Sequence, residues 1–400
     1  MNRPAVVDHA RTARRLMAYA VLAHDPAVAA AAVDYWEKSE AHYRAVDGAL
    51  RAFLDRADTG GEARAAHRAL TADPSDPRHH RALREHTSAL LAGRPADTRE
   101  LAAQIGEADR HIWIDYHLGD RHDTLPPASA EPVPTPAARP HQATPAGARV
   151  LIPFRDREGG ARTRNLLACL RALADQTEGP GHRVTVVESD SRPRSRTLLE
   201  PLVDRYVFAP KEGLFNKSWA VNVGAVDAQN DPLPYLCVLD ADILVDNSFV
   251  ARNVARLVAG EHGTHLPFSW SLSLDAPSSR NAIELRTGRG APDVPGALLR
   301  GLLLREPPGG CVWLRTEVFH AVGGFDERYE GWGGEDDDIV ARLAAAAPLV
   351  RYDDQLLHLD HPRPRMTRDD GRPFNAHVEP MSWHAGLGYG VPEKFTLRQG

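Results

Sequence analysis

The sequence predicts an α/β fold in its C-terminal part, with a mainly parallel sheet flanked by helices, preceded by a separate all-α region. From about residue 149 short apolar runs alternate with helical patterns, whereas before residue 124 only helical patterns occur. Between them, residues 124–148 contain seven prolines and few large apolar groups, which is typical of an extended spacer. We therefore predict a helical domain over 1–123, a linker over 124–148, an α/β domain over 149–365 and an extension over 366–400.

Helix start signals organise the N-terminal region. Asp25 and Asp76 are each followed by proline, the pattern of a cap and the first helical position. Asp97 with Glu100 three residues later predicts a capping box. An apolar helix stripe is formed by Trp36, Tyr43, Val46, Leu50 and Phe53. We expect a small helical bundle without catalytic groups.

The α/β region alternates strands and helices. Strands are predicted at 150–152, 184–187, 206–208 and 235–239, with the first ended by Pro153. Helices are predicted around 166–173, 198–202 and 219–226. Crossover helices between consecutive strands imply a parallel sheet, and ligands bind such sheets at the carboxyl ends of the strands.

Charged side chains follow two of these strands. Asp240 and Asp242 come after the fourth strand, where both carboxylates can face one cavity and hold Mg²⁺ or Mn²⁺ on a diphosphate. Turns after strands are rich in aspartate, so this pair alone is a weak signal. Arg155 and Arg157 follow the first strand and suit phosphate, although exposed loop arginines are an equally good interpretation.

Four consecutive acids, Glu335 to Asp338, precede an apolar stripe formed by Ile339, Val340 and Leu343. This spacing predicts that the acids occupy the first turn of a helix, where the helix dipole stabilises anions. The same field is expected to lower their pKa values and keep them ionised near neutral pH. A capped surface helix is the alternative interpretation.

Together these segments resemble the nucleotide-sugar glycosyltransferases of the GT-A fold, above all the β-1,4-galactosyltransferase family and its bacterial relatives. The similarity covers roughly residues 150–364 and follows the order of the family's motifs. The motifs are Ile152-Pro-Phe-Arg-Asp-Arg157, Phe215-Asn-Lys217 with Asn222-Val-Gly224, Asp240-Ala-Asp242, Gly309-Gly310, Gly323-Gly-Phe325 and Gly331-Trp-Gly-Gly-Glu-Asp-Asp-Asp338.

The resemblance implies roles for individual residues. Asp336 would be the general base, with Glu335 and Asp337 beside it. The metal ligands would be Asp242 and His361, together with His358, which stands where animal members of the family carry a methionine ligand. The donor would be bound by Pro153, Phe154, Arg155, Arg157, Phe215, Lys217, Asp240, Ala241, Asp242 and Trp332. The acceptor would be bound by Trp332, Gly333, Glu335 and Asp337.

The implied activity is an inverting, metal-dependent transfer of a hexose, galactose-type by default, from a UDP-sugar to an acceptor hydroxyl. Mn²⁺ or Mg²⁺ is the expected cofactor, and residues 366–400 are a candidate lid over the site. Lys217 replaces the family's arginine, which keeps the charge but loses a bidentate grip on phosphate. The helical domain is expected to serve in homo-oligomerisation or in acceptor docking, and the sequence favours neither.

Composition limits the expected partners and the expected cellular location. The net charge of −6 and the absence of a basic stripe argue against a nucleic-acid partner. The sequence contains no run of about 18 apolar residues, so it predicts no membrane-spanning helix. Residues Met1 to Arg15 do not resemble a signal peptide. Cys169, Cys237 and Cys311 are widely spaced, which favours free thiols and a cytoplasmic protein.

Two other functions stay open at this point. A sugar-phosphate nucleotidyltransferase would use a similar sheet and aspartate pair, but it has no need of the acid-rich segment. A non-catalytic sugar-nucleotide-binding protein on the same scaffold would be expected to lack Asp242, Asp336 or His361, and all three are present.

Overall fold

The computed structural model describes residues 8–119, 121–122, 146–157, 159–177, 179–260, 262–362, 365–384 and 388–395. Contacts divide the chain into two compact units, Met1–His122 with Leu299–Glu306, and Asp123–Leu298 with Pro307–Gly400. Most of the predicted linker, residues 124–145, lies outside the described residues, and 146–148 begin a strand. No helix within the described ranges combines the length and the apolar character that crossing a bilayer requires.

The elements follow in chain order. The first half of the chain contains α1 (His9–His24), α2 (Pro26–Ala31), α3 (Val33–Ala57), α4 (Glu62–Ala72), α5 (Pro77–Ala92), α6 (Pro95–Asp109), β1 (Ile114–Leu118), β2 (Ala146–Phe154), α7 (Ala161–Ala174), β3 (Gly181–Glu188) and α8 (Arg196–Leu199). The second half contains β4 (Arg205–Phe208), α9 (Lys217–Asp227), β5 (Tyr235–Leu239), β6 (Ile243–Leu244), α10 (Phe249–Ala259), β7 (Thr264–Leu266), β8 (Trp270–Leu274), α11 (Ala276–Ile283), β9 (Arg300–Arg305), β10 (Cys311–Arg315), α12 (Thr316–Ala321), α13 (Glu335–Ala346), β11 (Leu349–Arg351) and β12 (Leu356–His358).

The first unit is a helical bundle built around α1. Ten residues of α1 are buried, and the predicted stripe of α3 packs into the same core through Tyr43, Val46, Leu50 and Phe53. Asp25 and Asp76 cap α2 and α5 as predicted, with proline at the first helical position. The predicted capping box is wrong: α6 begins at Pro95, so Asp97 lies within its first turn.

The helical unit also contains two strands that were not predicted from the sequence. β1 pairs antiparallel with β9, with Ile114 opposite Leu304 and Leu118 opposite Arg300. The pairing joins residues almost two hundred positions apart, which local periodicity cannot reveal. The N-terminal region is therefore mainly helical rather than entirely so.

The second unit has the predicted α/β architecture. Its seven-stranded sheet has the order β11-β7-β10-β5-β2-β3-β4, with parallel pairing of β5, β2, β3 and β4 and antiparallel pairing of β10 to both neighbours. This confirms the mainly parallel sheet flanked by helices. The predicted end of the first strand at Pro153 is wrong, since β2 continues to Phe154. Proline is tolerated there because β2 pairs with β5 only as far as Leu151.

Helix α9 fixes the geometry at the carboxyl edge of this sheet. Trp219, Val221 and Val223 are buried in a core cluster that also contains Leu151 of β2 and Val187 of β3. Gly224 faces β2 and β3, where a Cβ would collide with Leu151 and come within 2.6 Å of Val187. The close approach holds the first residue of α9, Lys217, over the strand ends.

Candidate active site

The carboxyl ends of β2 and β5 open into a cleft of about 840 Å³ within the second unit. Residues predicted from the sequence form most of its lining, namely Pro153, Phe154, Arg155, Arg157, Phe215, Lys217, Asp240, Ala241, Asp242, Trp332, Glu335, Asp336, His358 and His361. The two others, Gly333 and Asp337, are not among the described residues that line it. The volume is in the range of small-molecule sites.

A buried lysine joins the two acidic motifs. Lys217 Nζ lies 2.8 Å from Asp240 Oδ1 and 2.9 Å from Asp336 Oδ1. Burial alone would lower the pKa of Lys217, but the carboxylates of Asp240 and Asp336 raise it well above its ordinary value. The ammonium group is therefore charged, and it holds the aspartate after β5 and the aspartate of α13 on opposite sides of one cation.

Hydrogen bonds made by two asparagines explain the spacing of the motif around Lys217. The side chain of Asn216 accepts a hydrogen bond from Trp219 N and donates one to the Glu327 carbonyl, at 2.7 and 2.8 Å. Asn222 bonds both the N–H and the carbonyl of Phe325. These two asparagines tie α9 to the loop before α13, so they position the site without lining the cleft.

The acid-rich segment forms the first turn of α13, as predicted. Gly334 precedes it at φ 94°, and a Cβ there would lie 2.6 Å from the Tyr329 ring. Gly309, just before β10, lies so close to Asp336 that a Cβ would collide with its carboxylate. Asp240 N in turn donates to the Gly310 carbonyl at 2.9 Å, so the β5–β10 pairing sets the distance between the two acids.

The predicted lowering of the pKa values in this turn is wrong for two of its acids. Burial and the neighbouring charge of Asp336 raise the pKa of Glu335 to about 7. Burial also raises the pKa of Asp336, even though Lys217 lowers it. Desolvation and repulsion between adjacent carboxylates outweigh the helix dipole at this position. The two carboxyl groups therefore titrate as a coupled pair, with both pKa values raised.

The last acid of the turn has a structural role. Asp338 is buried and accepts hydrogen bonds from Arg342 Nε and Met381 N, both at 2.7 Å. Arg342 continues to the carbonyls of Val322 and Gly324. This network fixes the start of α13 and attaches the C-terminal extension to it.

Trp332 occupies an exposed loop at the mouth of the cleft. Its side chain is 46% exposed, between Gly331 and Gly333, which both have positive φ. The side chain of Asn375 spans the loop, accepting from Glu330 N at 3.0 Å and donating to the Gly333 carbonyl at 2.8 Å. Part of the extension over 366–400 is therefore packed against this loop.

Asp242 and two histidines form a set of metal-type ligands. Asp242 Oδ2 lies 3.1 Å from His361 Nε2, and Asp242 Oδ1 lies 3.6 Å from His358 Nε2. The three ligand atoms lie within 4.8 Å of one another. The antiparallel pairing of β12 with β6 places His358 opposite Ile243, directly after Asp242, and so brings the set together.

The donor set fits a divalent cation. His361 Nδ1 donates to the Pro362 carbonyl at 2.8 Å, so in a neutral ring Nε2 carries a lone pair facing the Asp242 carboxylate. Two acceptors face each other stably only with a proton or a metal ion between them. Asp242 Oδ1 is a buried oxygen that accepts no hydrogen bond from any residue in the described ranges. Although burial alone would raise it, His358 and His361 hold the pKa of Asp242 well below its usual range.

Basic groups surround the remainder of the cleft. Arg157 pairs with Asp190, whereas Arg155 donates to the Gly213 carbonyl at 2.7 Å through Nη2. The other nitrogen, Arg155 Nη1, is buried and bonds no described residue. Sequence reasoning missed Arg162, Arg365, Arg368, Asp369 and Phe374, which also line the cleft. Arg162 carried a signal, because it follows Gly160 at the helix start after β2, and the last three of these residues lie in the segment predicted as a lid.

Two family models match consecutive segments of the chain. The model described as glycosyl transferase family 2 matches residues 150–323. The model described as the N-terminal domain of galactosyltransferase matches residues 304–361. Together they include the end of β2, the acidic motif after β5, the acid-rich turn, His358 and His361.

Curated relatives agree with these matches. The chain is 29% identical to β-1,4-galactosyltransferase 1 of Bos taurus over 133 residues, which cover 33% of the chain and 26% of that protein. It is 28% identical to β-1,4-galactosyltransferase 4 of Homo sapiens over 184 residues, covering 43% of the chain and 41% of that protein. The matched segments thus span less than half of either relative.

Similar solved structures include a complex of Drosophila β-1,4-galactosyltransferase 7 with manganese, UDP-Gal and xylobiose. It shares 19% identity over 61% of this chain and 82% of that one, with a TM-score of 0.35. TarS of S. aureus shares 12% identity over 54% of this chain and 37% of its own, with a TM-score of 0.37. Because both scores are low, the assignment depends on the sequence matches. Residues 150–361 are therefore similar to glycosyltransferases, and the end of this segment is similar to the galactosyltransferases.

Proposed function

We propose that the protein is a metal-dependent, inverting glycosyltransferase that moves a hexose from a UDP-sugar to an acceptor hydroxyl. The observation that carries this proposal is the Lys217 bridge, which keeps Asp240 and Asp336 within reach of one ammonium group. A base for the acceptor and an acidic motif for the nucleotide diphosphate thereby face the same cleft. The names of the curated relatives make a galactose-type sugar the first candidate.

The cleft offers a place for each part of a nucleotide sugar. Arg155 brings a buried N–H with no acceptor among the described residues, which suits an oxygen of the nucleotide. Arg162, Arg365 and Arg368 add positive charge that suits the diphosphate. Asp242, His358 and His361 would hold a divalent ion, Mn²⁺ or Mg²⁺, which offsets the negative charge of the departing diphosphate.

In the proposed reaction Asp336 takes the proton from the acceptor hydroxyl. The hydroxyl oxygen forms a bond to the anomeric carbon as the bond from that carbon to the diphosphate breaks, which inverts the configuration. Lys217 keeps Asp336 oriented by contacting both of its oxygens, at 2.9 and 3.0 Å. General-base catalysis of this kind typically contributes ~10²–10⁴-fold in rate. Glu335 and Asp337 flank the base and would hold the acceptor.

Trp332 would cover the sugar during transfer. The ring is exposed at the mouth of the cleft, and glycine on both sides allows the loop to change conformation.

We also propose the division into a helical domain over 1–123, a linker over 124–148, a transferase domain over 149–365 and an extension over 366–400. The helical domain would serve in homo-oligomerisation or in acceptor docking, and the buried free thiols favour a reducing, cytoplasmic setting.

A panel of nucleotide sugars with Mn²⁺ tests the proposal. We expect slow release of nucleoside diphosphate from at least one UDP-hexose without acceptor, faster release with the right acceptor, and none after chelation. A nucleotidyltransferase would instead release pyrophosphate from a nucleoside triphosphate and a sugar phosphate. A binding protein would retain the nucleotide sugar intact, and either result would overturn the proposed transfer.

A further inference from the structure

Three helices of the N-terminal unit direct metal-type ligands at one point. His24 ends α1, Asp47 lies in the middle of α3, and His67 lies on the buried face of α4. His67 Nε2 lies 2.7 Å from Asp47 Oδ1, and His24 Nε2 lies 3.1 Å from Asp47 Oδ2. Each imidazole thus faces its own oxygen of a single carboxylate.

The burial of this cluster makes its charge balance important. Asp47 is 3% exposed and His67 is 6% exposed, while His24 is half-buried. A carboxylate at such a depth is stable only with charge compensation and hydrogen bonds. Besides the histidines, Arg51 Nε approaches Asp47 Oδ2 at 3.5 Å, but its side chain is largely exposed. The arginine therefore compensates the charge from the solvent side.

The ligand atoms are spaced for a small transition metal. All three lie within 4.8 Å of one another, and the two imidazole rings are nearly perpendicular, with an interplanar angle of 88°. Ligand atoms bound tetrahedrally at about 2.0–2.2 Å from zinc are separated by roughly 3.3 Å, close to the two distances observed. The set repeats that of Asp242, where two Nε2 atoms also face the two oxygens of one buried aspartate.

We propose that His24, Asp47 and His67 form a Zn²⁺ site that ties α1, α3 and α4 together. Two neutral imidazoles and a carboxylate are a preferred ligand set for zinc, and the exposed side of His24 leaves a fourth position for water. Nothing in the proposed transfer reaction uses this set. A bound ion would stabilise the folded helical unit, because the unfolded chain does not hold the three ligands together.

A second acidic cluster in the same unit provides a matched control. Asp73, Asp76 and His79 also bring three ligand atoms within 4.8 Å. Asp76 Oδ1 is already engaged as the cap of α5, His79 Nδ1 bonds the Asp73 carbonyl, and Asp73 is open to solvent. Exposed carboxylates of this kind are well solvated and bind zinc weakly.

The experiment uses the full chain, stripped of metal, in an Asp242→Ala background that removes the other histidine–aspartate set. Zn²⁺ is titrated against a chromophoric chelator at pH 7, and far-ultraviolet circular dichroism checks the fold. We expect one equivalent of Zn²⁺ and a higher midpoint of thermal unfolding when it is bound. Adding His67→Gln should weaken binding at least tenfold, while adding His79→Gln should leave it unchanged.

Two further variants keep the test decisive. If His67→Gln does not fold, His24→Gln replaces it, since that ring is half-buried and its loss is better tolerated. Arg51→Met should tighten Zn²⁺ binding by removing a competing cation, whereas a purely hydrogen-bonded cluster would gain no affinity. Absence of a bound equivalent in the Asp242→Ala protein, or full binding after loss of either histidine, would overturn the proposal.

Discussion

Replacing Lys217 with methionine tests the link between the two acidic motifs. Charges about 3 Å apart attract by roughly 5–6 kcal/mol at an effective dielectric constant of about 20. Because 1.36 kcal/mol corresponds to one pKa unit, loss of the ammonium group would raise the pKa of Asp336 by up to about four units. Relaxation and entry of water reduce this, and we expect a shift of one to two units.

The pH dependence of turnover should show the direction of this pKa change. Asp336 acts as a base only when ionised, so the rate should rise with pH as the Glu335–Asp336 pair, whose pKa values are both raised, loses its protons. In Lys217→Met this rise in rate should move to a pH about one to two units higher, which lowers the rate on the acidic side of the rise by roughly 10–100-fold and restores part of it in alkali. Lys217→Arg keeps the positive charge, so the pH range over which the rate rises should change little.

The assay is release of nucleoside diphosphate between pH 5.5 and 9.5 at saturating acceptor. Lys211→Met is a matched control, because Lys211 pairs with Glu330 at 3.2 Å and is also buried. That variant should be less stable, but its rate should rise over the same pH range as in the wild type. If the rate of Lys217→Met rises over the same pH range as in the wild type and is near normal, Lys217 does not control the ionisation of Asp336.

Three further predictions follow from the same cleft. Asp336→Asn should bind donor normally by calorimetry and lose ~10²–10⁴-fold in transfer, and near-normal transfer would mean that another group is the base. Glu335→Gln should flatten the pH dependence of unfolding in metal-free protein. Because the pKa of Glu335 is raised from 4.5 to about 7, its stabilising contribution is present below pH 4.5 and lost as pH rises to 7, by about 3 kcal/mol. Parallel stability curves for this variant and the wild type would contradict that. Donor with Mn²⁺ should change tryptophan fluorescence, and Trp332→Phe should remove most of the change; an equal change in the variant would exclude closure of this loop.

Local patterns were sufficient for the main features of the second unit. The apolar spacing after Asp338 fixes where α13 begins, and the apolar run of β5 fixes where Asp240 and Asp242 emerge. Both signals lie within a few residues of the groups they position. That is why the strand-end aspartates and the acidic turn were predictable as parts of one edge.

The remaining features depend on contacts between distant residues. His358 reaches Asp242 only because β12 pairs with β6, and β1 exists as a strand only because β9 lies beside it. The raised pKa of Glu335 follows from burial and from the neighbouring charge of Asp336. Sequence spacing contains no measure of burial, so the helix dipole was overestimated there.

The position of the metal ion tests the central claim most directly. Crystals grown with UDP and Mn²⁺, measured for the anomalous scattering of manganese, should show an ion bonded to Asp242 and His361, with the diphosphate against it and Asp336 facing the same cleft. Crystals of Asp242→Ala should lack that ion. A manganese ion and a diphosphate bound elsewhere, with this cleft filled only by solvent, would contradict the account.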